Sequence, residues 1–197
     1  MNHTAHCYLS FSNSDLLLGN FIGDFVKGRT WEKYPVPVQQ GILLHRSIDS
    51  FTDNHDATRK SVGRIRPFAG RYAPPVMDIL YDHLLCKYWG EVAEVDFDAF
   101  ADWAYANLES RKAEMPEKLQ RRLPHMLAGR FLHGYQTREG LEWVLQQFER
   151  RLLGKIDTVA LLGYFFEHME QFSEDFKVFF PDLQEMTRHK RALFLAG

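Results

Sequence analysis

The chain has 197 residues, of which 45% are hydrophobic and 25% charged, and its formal net charge is −2. This length is enough for one domain with a substantial core, and the composition is ordinary for a globular protein. The near balance of charges does not indicate a general nucleic-acid binder.

Helical signals follow one another along the chain. With proline, glycine and capping residues as boundaries, helices are predicted over about 13–28, 37–54, 56–69, 75–90, 96–112 and 138–153, then from 157 and after 181. Gly41 and the glycines of GNFIGDFVKG are expected to let two helices approach closely. β-branched alternation is nearly absent, so no strand is predicted. We predict one all-α domain over 1–197, a helical bundle of about seven or eight helices.

The start of the chain, its apolar runs and its cysteines indicate the cellular location that we expect. The start MNHTAHCYLSF lacks the basic and apolar regions of a signal peptide, and no apolar run approaches the roughly 20 residues of a membrane span. Cys7 and Cys86 both lie in apolar stretches, as reduced buried thiols do. We therefore expect a cytoplasmic protein that does not enter a membrane.

Acids and a histidine recur at helical spacing in the segment LLHRSIDSFTDNH. His45, Asp49 and Asp53 are four residues apart, which places them on one face of a helix. Asp24 is a further acid in an apolar setting, in GNFIGDFVKG. A buried carboxylate is costly unless it is paired or bound to a metal, so this stripe predicts a metal site.

A second cluster lies in PPVMDILYDHLLCKYW. Asp78 and Asp82 repeat the spacing of four, and His83 adds an imidazole beside Asp82. Carboxylates with imidazoles and no thiolate favour Mn²⁺ or Mg²⁺, with Fe²⁺ as an alternative. The competing interpretation is that these acids cap helices or pair with nearby arginines.

Two more histidines form an H-x-x-H pair near the start. His3 and His6 could both ligate a metal if this segment is helical, although such a pair more often has a packing role. No phosphate-binding glycine loop, nucleophile elbow or C-x-x-C pair is present.

Four segments together resemble the acyl carrier protein phosphodiesterase family. They are MNHTAH, LLGNFIGDFVKG, LHRSIDSFTDNH and MDILYDHLLCKYW, in that order and with similar gaps, within about the first ninety residues. The resemblance implies an HD-like all-α fold and a divalent metal, typically Mn²⁺. It also implies that the protein removes the 4′-phosphopantetheine arm from holo acyl carrier protein.

The resemblance also implies which residues form the site. These are Asp24, His45, Asp49, Asp78, Asp82 and His83, with His6 a better candidate than His3. HD-type proteins carry an adjacent His-Asp pair, whereas this chain has Asp82 followed by His83. Which of the two binds metal is left open. His83, His45 and Asp82 are the candidate catalytic residues, and either histidine could protonate the leaving serine oxygen.

Basic residues are the candidates for substrate binding. Arg46 and Lys27, beside the acidic motifs, are candidates for phosphate contact. The segment RKSVGRIR is the densest basic patch and could dock an acidic carrier protein; its basic residues are Arg59, Lys60, Arg64 and Arg66.

Three other interpretations compete with this one. An HD-like phosphohydrolase of a nucleotide or another small phosphoester would need the metal but no basic docking patch. A non-catalytic helical module binding an acidic partner would need no metal. A di-iron carboxylate protein is weaker, because it requires Glu-x-x-His pairs that the sequence lacks.

Overall fold

The computed structural model describes the backbone of residues 1–196 and the side chains of residues 1–194. This part of the chain is all-α and contains no strand, which confirms the predicted fold class. Its α-helices are α1 (His3–Tyr8), α2 (Ser14–Ile22), α3 (Val36–Asn54), α4 (Asp56–Ala69), α5 (Ala73–Lys87), α6 (Trp89–Val92), α7 (Phe97–Ser110), α8 (Glu117–Ala128), α9 (Arg138–Arg151), α10 (Thr158–Glu167) and α11 (Met169–Ala196).

The helices outnumber the seven or eight that were predicted. The additional ones are α1, α6 and α8, of which the first two are too short to show a periodic apolar face. The last helix also begins at Met169 and continues through Pro181, where the sequence predicted a start. The apolar face of α11 explains this, because Phe172, Phe176 and Phe180 on it are almost fully buried.

Capping side chains begin several helices where the sequence predicted a start. Asn13 accepts hydrogen bonds from the backbone of Asp15 and Leu16 at the start of α2. Asp96 does the same for α7, and Asp157 for α10. These caps fix the helix boundaries in both halves of the chain.

Helices α2 and α3 cross in direct backbone contact at two glycines. A Cβ atom on Gly19 would lie 2.2 Å from the carbonyl oxygen of Val38, and one on Gly41 would lie 2.6 Å from that of Leu16. The predicted close approach of two helices is confirmed here. The crossing carries the segment after α2 onto the face of α3 that bears His45.

Helix α5 lies at the centre and contacts α1, α4, α9 and α11. Tyr81 and Asp82 on it are fully buried, and its other sides pack into the aromatic core. Neighbouring residues of α5 therefore face different helices. No helix among the described residues is long and apolar enough to cross a membrane.

Candidate metal centre

Two helices bring a pair of histidines onto one carboxylate. His45 and Asp49 are one turn apart on α3, and His45 Nε2 lies 3.1 Å from Asp49 Oδ2. His6 comes from α1, and its Nε2 lies 3.1 Å from Asp49 Oδ1. The two imidazole rings stack with their centroids 4.2 Å apart. One ligand atom from each of the three side chains lies within 4.8 Å of the others. Among the described residues this is the group that could hold a metal ion.

Asp24 borders this cluster on the solvent side. It lies in the 3₁₀ turn Gly23–Phe25, and its Oδ1 is 3.5 Å from His45 Nε2. Its side chain is 72% exposed, whereas that of Asp49 is 39% exposed. Gly23 gives the imidazole its space, because a Cβ atom there would lie 2.3 Å from the ring of His45. Gly23 therefore leaves room for the ring of His45, and Asp24 beside it contacts the Nε2 atom of the same ring.

Asp78, on α5, borders the cluster on another side. The amino group of Met1 lies 2.8 Å from Asp78 Oδ1 and 3.8 Å from Asp49 Oδ1. This shared contact places the carboxylates of α3 and α5 next to each other. Asp53, one turn beyond Asp49, lines a separate cleft with Asp78.

The tautomer of His6 shows that a cation fits the cluster. Asn20 donates through its Nδ2 to the carbonyl oxygen of His6 and to Ser10 Oγ, so its Oδ1 is an acceptor. His6 Nδ1, 2.7 Å from this oxygen, must therefore carry the proton. Burial lowers the pKa of His6, which favours the neutral ring with its lone pair on Nε2. This Nε2 lies 3.1 Å from Asp49 Oδ1 and 3.2 Å from the carbonyl oxygen of Met1, so either a proton or a metal cation satisfies the contact.

The pKa of His45 is shifted in the opposite direction from that of His6. Burial lowers its pKa, but hydrogen bonds and charges from Asp24 and Asp49 outweigh this effect and raise the pKa to about 9. Burial raises the pKa of Asp49, but its two histidine partners hold that pKa well below the usual range. His45 Nδ1 is buried without a hydrogen-bond partner among the described residues. Two imidazoles and ionised carboxylates form a donor set suited to a divalent metal.

Asp82 is placed away from this cluster, at the start of α1. Its carboxylate accepts hydrogen bonds from the backbone of Thr4 at 2.7 Å, Asn2 at 3.2 Å and Ala5 at 3.3 Å. Burial raises its pKa to about 7, while these donors act in the opposite direction. The side chain thus serves as the N-terminal cap of a helix from another part of the chain. In this way it fixes the helix that carries His6.

His83 lies on a different side of α5 from Asp82. Its Nδ1 is 2.8 Å from the carbonyl oxygen of Tyr135, and its ring packs edge-on against Phe165 and Phe166. Burial lowers its pKa. Adjacent residues on a helix point about 100° apart, so His83 faces Tyr135 while Asp82 faces α1. His83 is not part of the group formed by His6, His45 and Asp49.

His3 has a packing environment. Its ring contacts Phe21 and Phe131, with centroids 5.7 Å and 5.4 Å away. Burial lowers its pKa to about 4. Of the H-x-x-H pair, His6 joins the cluster and His3 joins the aromatic core.

The basic residues expected to bind substrate have different partners. Arg46 donates to the carbonyl oxygens of Val26 and Gly28, so it holds the loop after α2, while Lys27 is exposed on that loop. Lys60 and Arg64 pair with Asp175 on α11.

The rest of the basic patch lines the separate cleft that contains Asp53. Arg59 and Arg66 line this cleft of about 390 Å³ together with Asp53 and Asp78. RKSVGRIR is therefore divided between the ion pairs with Asp175 and a cleft that reaches Asp78 at the border of the metal cluster.

Sequence reasoning missed two arginines from the second half of the chain. Arg122 on α8 and Arg151 on α9 line a cleft of about 260 Å³ that Asp24 and Asp78 also line. No motif surrounds either arginine, and each stands next to another arginine. Only the packing of α8 and α9 against the first half identifies them.

Comparison with known proteins identifies the family of the chain. A family model described as "Acyl carrier protein phosphodiesterase" matches residues 1–183. A protein of that name from Salmonella paratyphi A (strain ATCC 9150 / SARB42) is 27% identical over 192 residues, covering 96% of this chain and 99% of the relative. Another from Enterobacter sp. (strain 638) is 26% identical over 193 residues, covering 97% of this chain and 100% of the relative. No solved structure matches the chain.

Proposed function

The chain belongs to the acyl carrier protein phosphodiesterase family and is a hydrolase, and we propose that His6, His45 and Asp49 form its metal-binding active site. The reaction is hydrolysis of the phosphodiester bond that links the 4′-phosphopantetheine arm to a serine of holo acyl carrier protein. The family assignment supports the reaction, and the cluster supports the place where it occurs.

One observation carries the assignment of the site. His6 and His45 present their Nε2 atoms to the two oxygens of Asp49, each at 3.1 Å. The Asn20 hydrogen bond places the proton of neutral His6 on Nδ1, so Nε2 is available to a shared cation. We propose Mn²⁺ or Mg²⁺ as the ion, with Fe²⁺ as the alternative, because the donors include the carboxylates of Asp49 and Asp78.

The metal supplies one part of the chemistry. A divalent ion at this site polarises a phosphoryl oxygen and lowers the pKa of water nearby. Asp24, exposed at the mouth of the cleft, is placed to accept the proton that the attacking water loses. As water adds to phosphorus, the bond to the serine oxygen breaks, and this oxygen takes a proton from solvent water at the open mouth of the site.

The remaining predicted residues receive positioning roles in this proposal. Asp82 holds the start of α1 and thereby orients His6. His83 holds the carbonyl group of Tyr135, which lines the cleft. His45 is assigned as a metal ligand through Nε2. Asp78 borders the site and is proposed as an additional carboxylate ligand.

The acidic carrier protein requires a complementary surface. Arg59 and Arg66 are exposed in the cleft that contains Asp78, and we propose that they guide the carrier protein toward the metal cluster that Asp78 borders. Lys60 and Arg64 contribute less, because Asp175 already neutralises part of their charge. We propose the cytoplasm as the location, since the described Cys7 and Cys86 are unpaired thiols.

The test is an intact-mass measurement on holo acyl carrier protein. Incubation with purified enzyme and Mn²⁺ should remove the mass of the phosphopantetheine group, and EDTA should prevent this loss. Asp49→Asn should abolish the loss, whereas Asp102→Asn, which alters an exposed acid on α7, should not. A folded wild-type protein that leaves the carrier mass unchanged with Mn²⁺, Mg²⁺ and Fe²⁺ would overturn the proposal.

A further inference from the structure

The cleft beside the metal centre has an uneven distribution of charge. Asp24 and Asp78 line it from the first half of the chain, and Arg122 and Arg151 line it from the second half. Leu119, Val144 and Phe148, from the same two helices as the arginines, add apolar surface. The cleft thus combines two cations, an apolar surface and two carboxylates that border the metal cluster.

The two arginines are available to a ligand. Both side chains are solvent-accessible, and neither forms an ion pair with a described residue, whereas Arg121 beside Arg122 pairs with Glu117. Partial burial lowers the pKa of Arg151, and the positive charge of Arg122 lowers it further. The charge of Arg122 also lowers the pKa of His3, which lines the same cleft. Two positive charges that line one cleft repel each other, and an anion that binds there relieves this repulsion.

We propose that Arg122 and Arg151 bind the phosphate group of phosphopantetheine, while the apolar wall beside them contacts the arm. This inference rests on the proposed function, because the phosphate is the group that the site cleaves. Planar guanidinium groups bind phosphate oxygens in bidentate geometry, which suits a phosphate that must also reach the metal cluster bordered by Asp24 and Asp78. The second half of the chain then supplies substrate recognition.

The released product carries more negative charge on its phosphate than the substrate group does. The phosphodiester carries a single negative charge, whereas the released phosphate monoester carries about −1.5 to −2 at pH 7. The arginine pair should therefore hold the product at least as strongly as the substrate group. Free 4′-phosphopantetheine should bind the enzyme, and pantetheine, which lacks the phosphate, should bind much more weakly.

The binding test uses 4′-phosphopantetheine and pantetheine as probes in titration calorimetry, with EDTA present so that neither metal nor turnover contributes. The variants are Arg122→Gln and Arg151→Gln. The matched controls are Arg121→Gln and Arg150→Gln, which alter exposed neighbours on the same helices outside the cleft. Each cleft variant should weaken 4′-phosphopantetheine binding about tenfold or more, since a charged hydrogen bond is lost, and leave pantetheine binding unchanged. The controls should bind both probes like wild type.

Activity of the same variants separates this inference from the proposed function. With Mn²⁺, the cleft variants should raise the KM for holo acyl carrier protein, and the control variants should not. Equal binding of both probes by wild type, or cleft variants that match the controls, would overturn the arginine subsite while hydrolysis by wild type still supported the function. Absence of hydrolysis by wild type would instead overturn the function, whichever probe binds.

Discussion

The two halves of the molecule contribute to the site in different ways. Helices α1 to α5 carry the ligands on a scaffold that the sequence specifies locally: His45 and Asp49 share a helix face, and glycines lock α2 onto α3. Helices α8 and α9 contribute part of the lining of the adjacent cleft through isolated side chains such as Arg122 and Arg151. Chemistry that depends on close ligand spacing is visible in a sequence, whereas a wall formed by distant helices is not.

Histidines with similar partners provide the strongest test of this difference. His45 lies between Asp24 and Asp49 in the first half, and His133 lies 2.8 Å from Asp98 in the second half. His45→Gln should lower kcat about a thousandfold or more, because metal stabilisation of the transition state is worth several kcal/mol. His133→Gln should change kcat less than about threefold, which is under about 1 kcal/mol, because His133 belongs neither to the metal cluster nor to the adjacent cleft. Equal losses measured by intact-mass kinetics would remove the distinction between the halves.

The hydrogen bond that orients His6 should have the next largest effect. Asn20→Leu removes the acceptor for His6 Nδ1, which is 2.7 Å away. Loss of such an outer partner weakens metal affinity about 10- to 100-fold. Competition with a chromogenic chelator measures this change. Asn107→Leu in α7, whose side chain bonds only to a backbone carbonyl one turn earlier, is the control and should leave Mn²⁺ affinity unaltered.

Metal affinity should also depend on pH. In the metal-free protein the pKa of His45 is raised to about 9, so below this pH a metal ion must displace a proton from the ring. Apparent Mn²⁺ affinity should therefore rise about tenfold per pH unit between pH 6 and 8. Calorimetry in buffers of different ionisation enthalpy should show about one proton released at pH 7. Affinity that stays constant over this range would show that His45 is not a ligand.

The smallest effects concern stability at helical glycines. Gly41→Ala should destabilise the protein by about 1–3 kcal/mol, because its Cβ atom would meet the backbone of α2. Gly163→Ala on α10 has open space around it and should stabilise the protein by about 0.5–1 kcal/mol. Urea denaturation followed by circular dichroism measures both. Similar changes at the two positions would contradict the direct backbone contact between α2 and α3.

The sequence predicted the all-α fold and the His45–Asp49 pair because both follow from helical periodicity. Asp82 shows where such reasoning ends. A buried carboxylate can be satisfied by a metal or by a helix N-terminus, and only the position of α1 reveals the second solution. The sequence did not separate His6 from His3, since both belong to one H-x-x-H pair. Their environments differ because His6 bonds to Asn20 on α2, whereas His3 packs against aromatic rings. Arg122 and Arg151 had no local signal at all.

The most direct test of the metal centre is pulsed electron paramagnetic resonance of the Mn²⁺-loaded protein, which detects imidazole nitrogen bound to the ion. Wild type should show two coordinated nitrogens, and His6→Gln and His45→Gln should each remove one. His83→Gln should retain both, because its ring lies on another side of α5. Loss of a nitrogen in His83→Gln, or two nitrogens retained in the His6 and His45 variants, would contradict the proposed site.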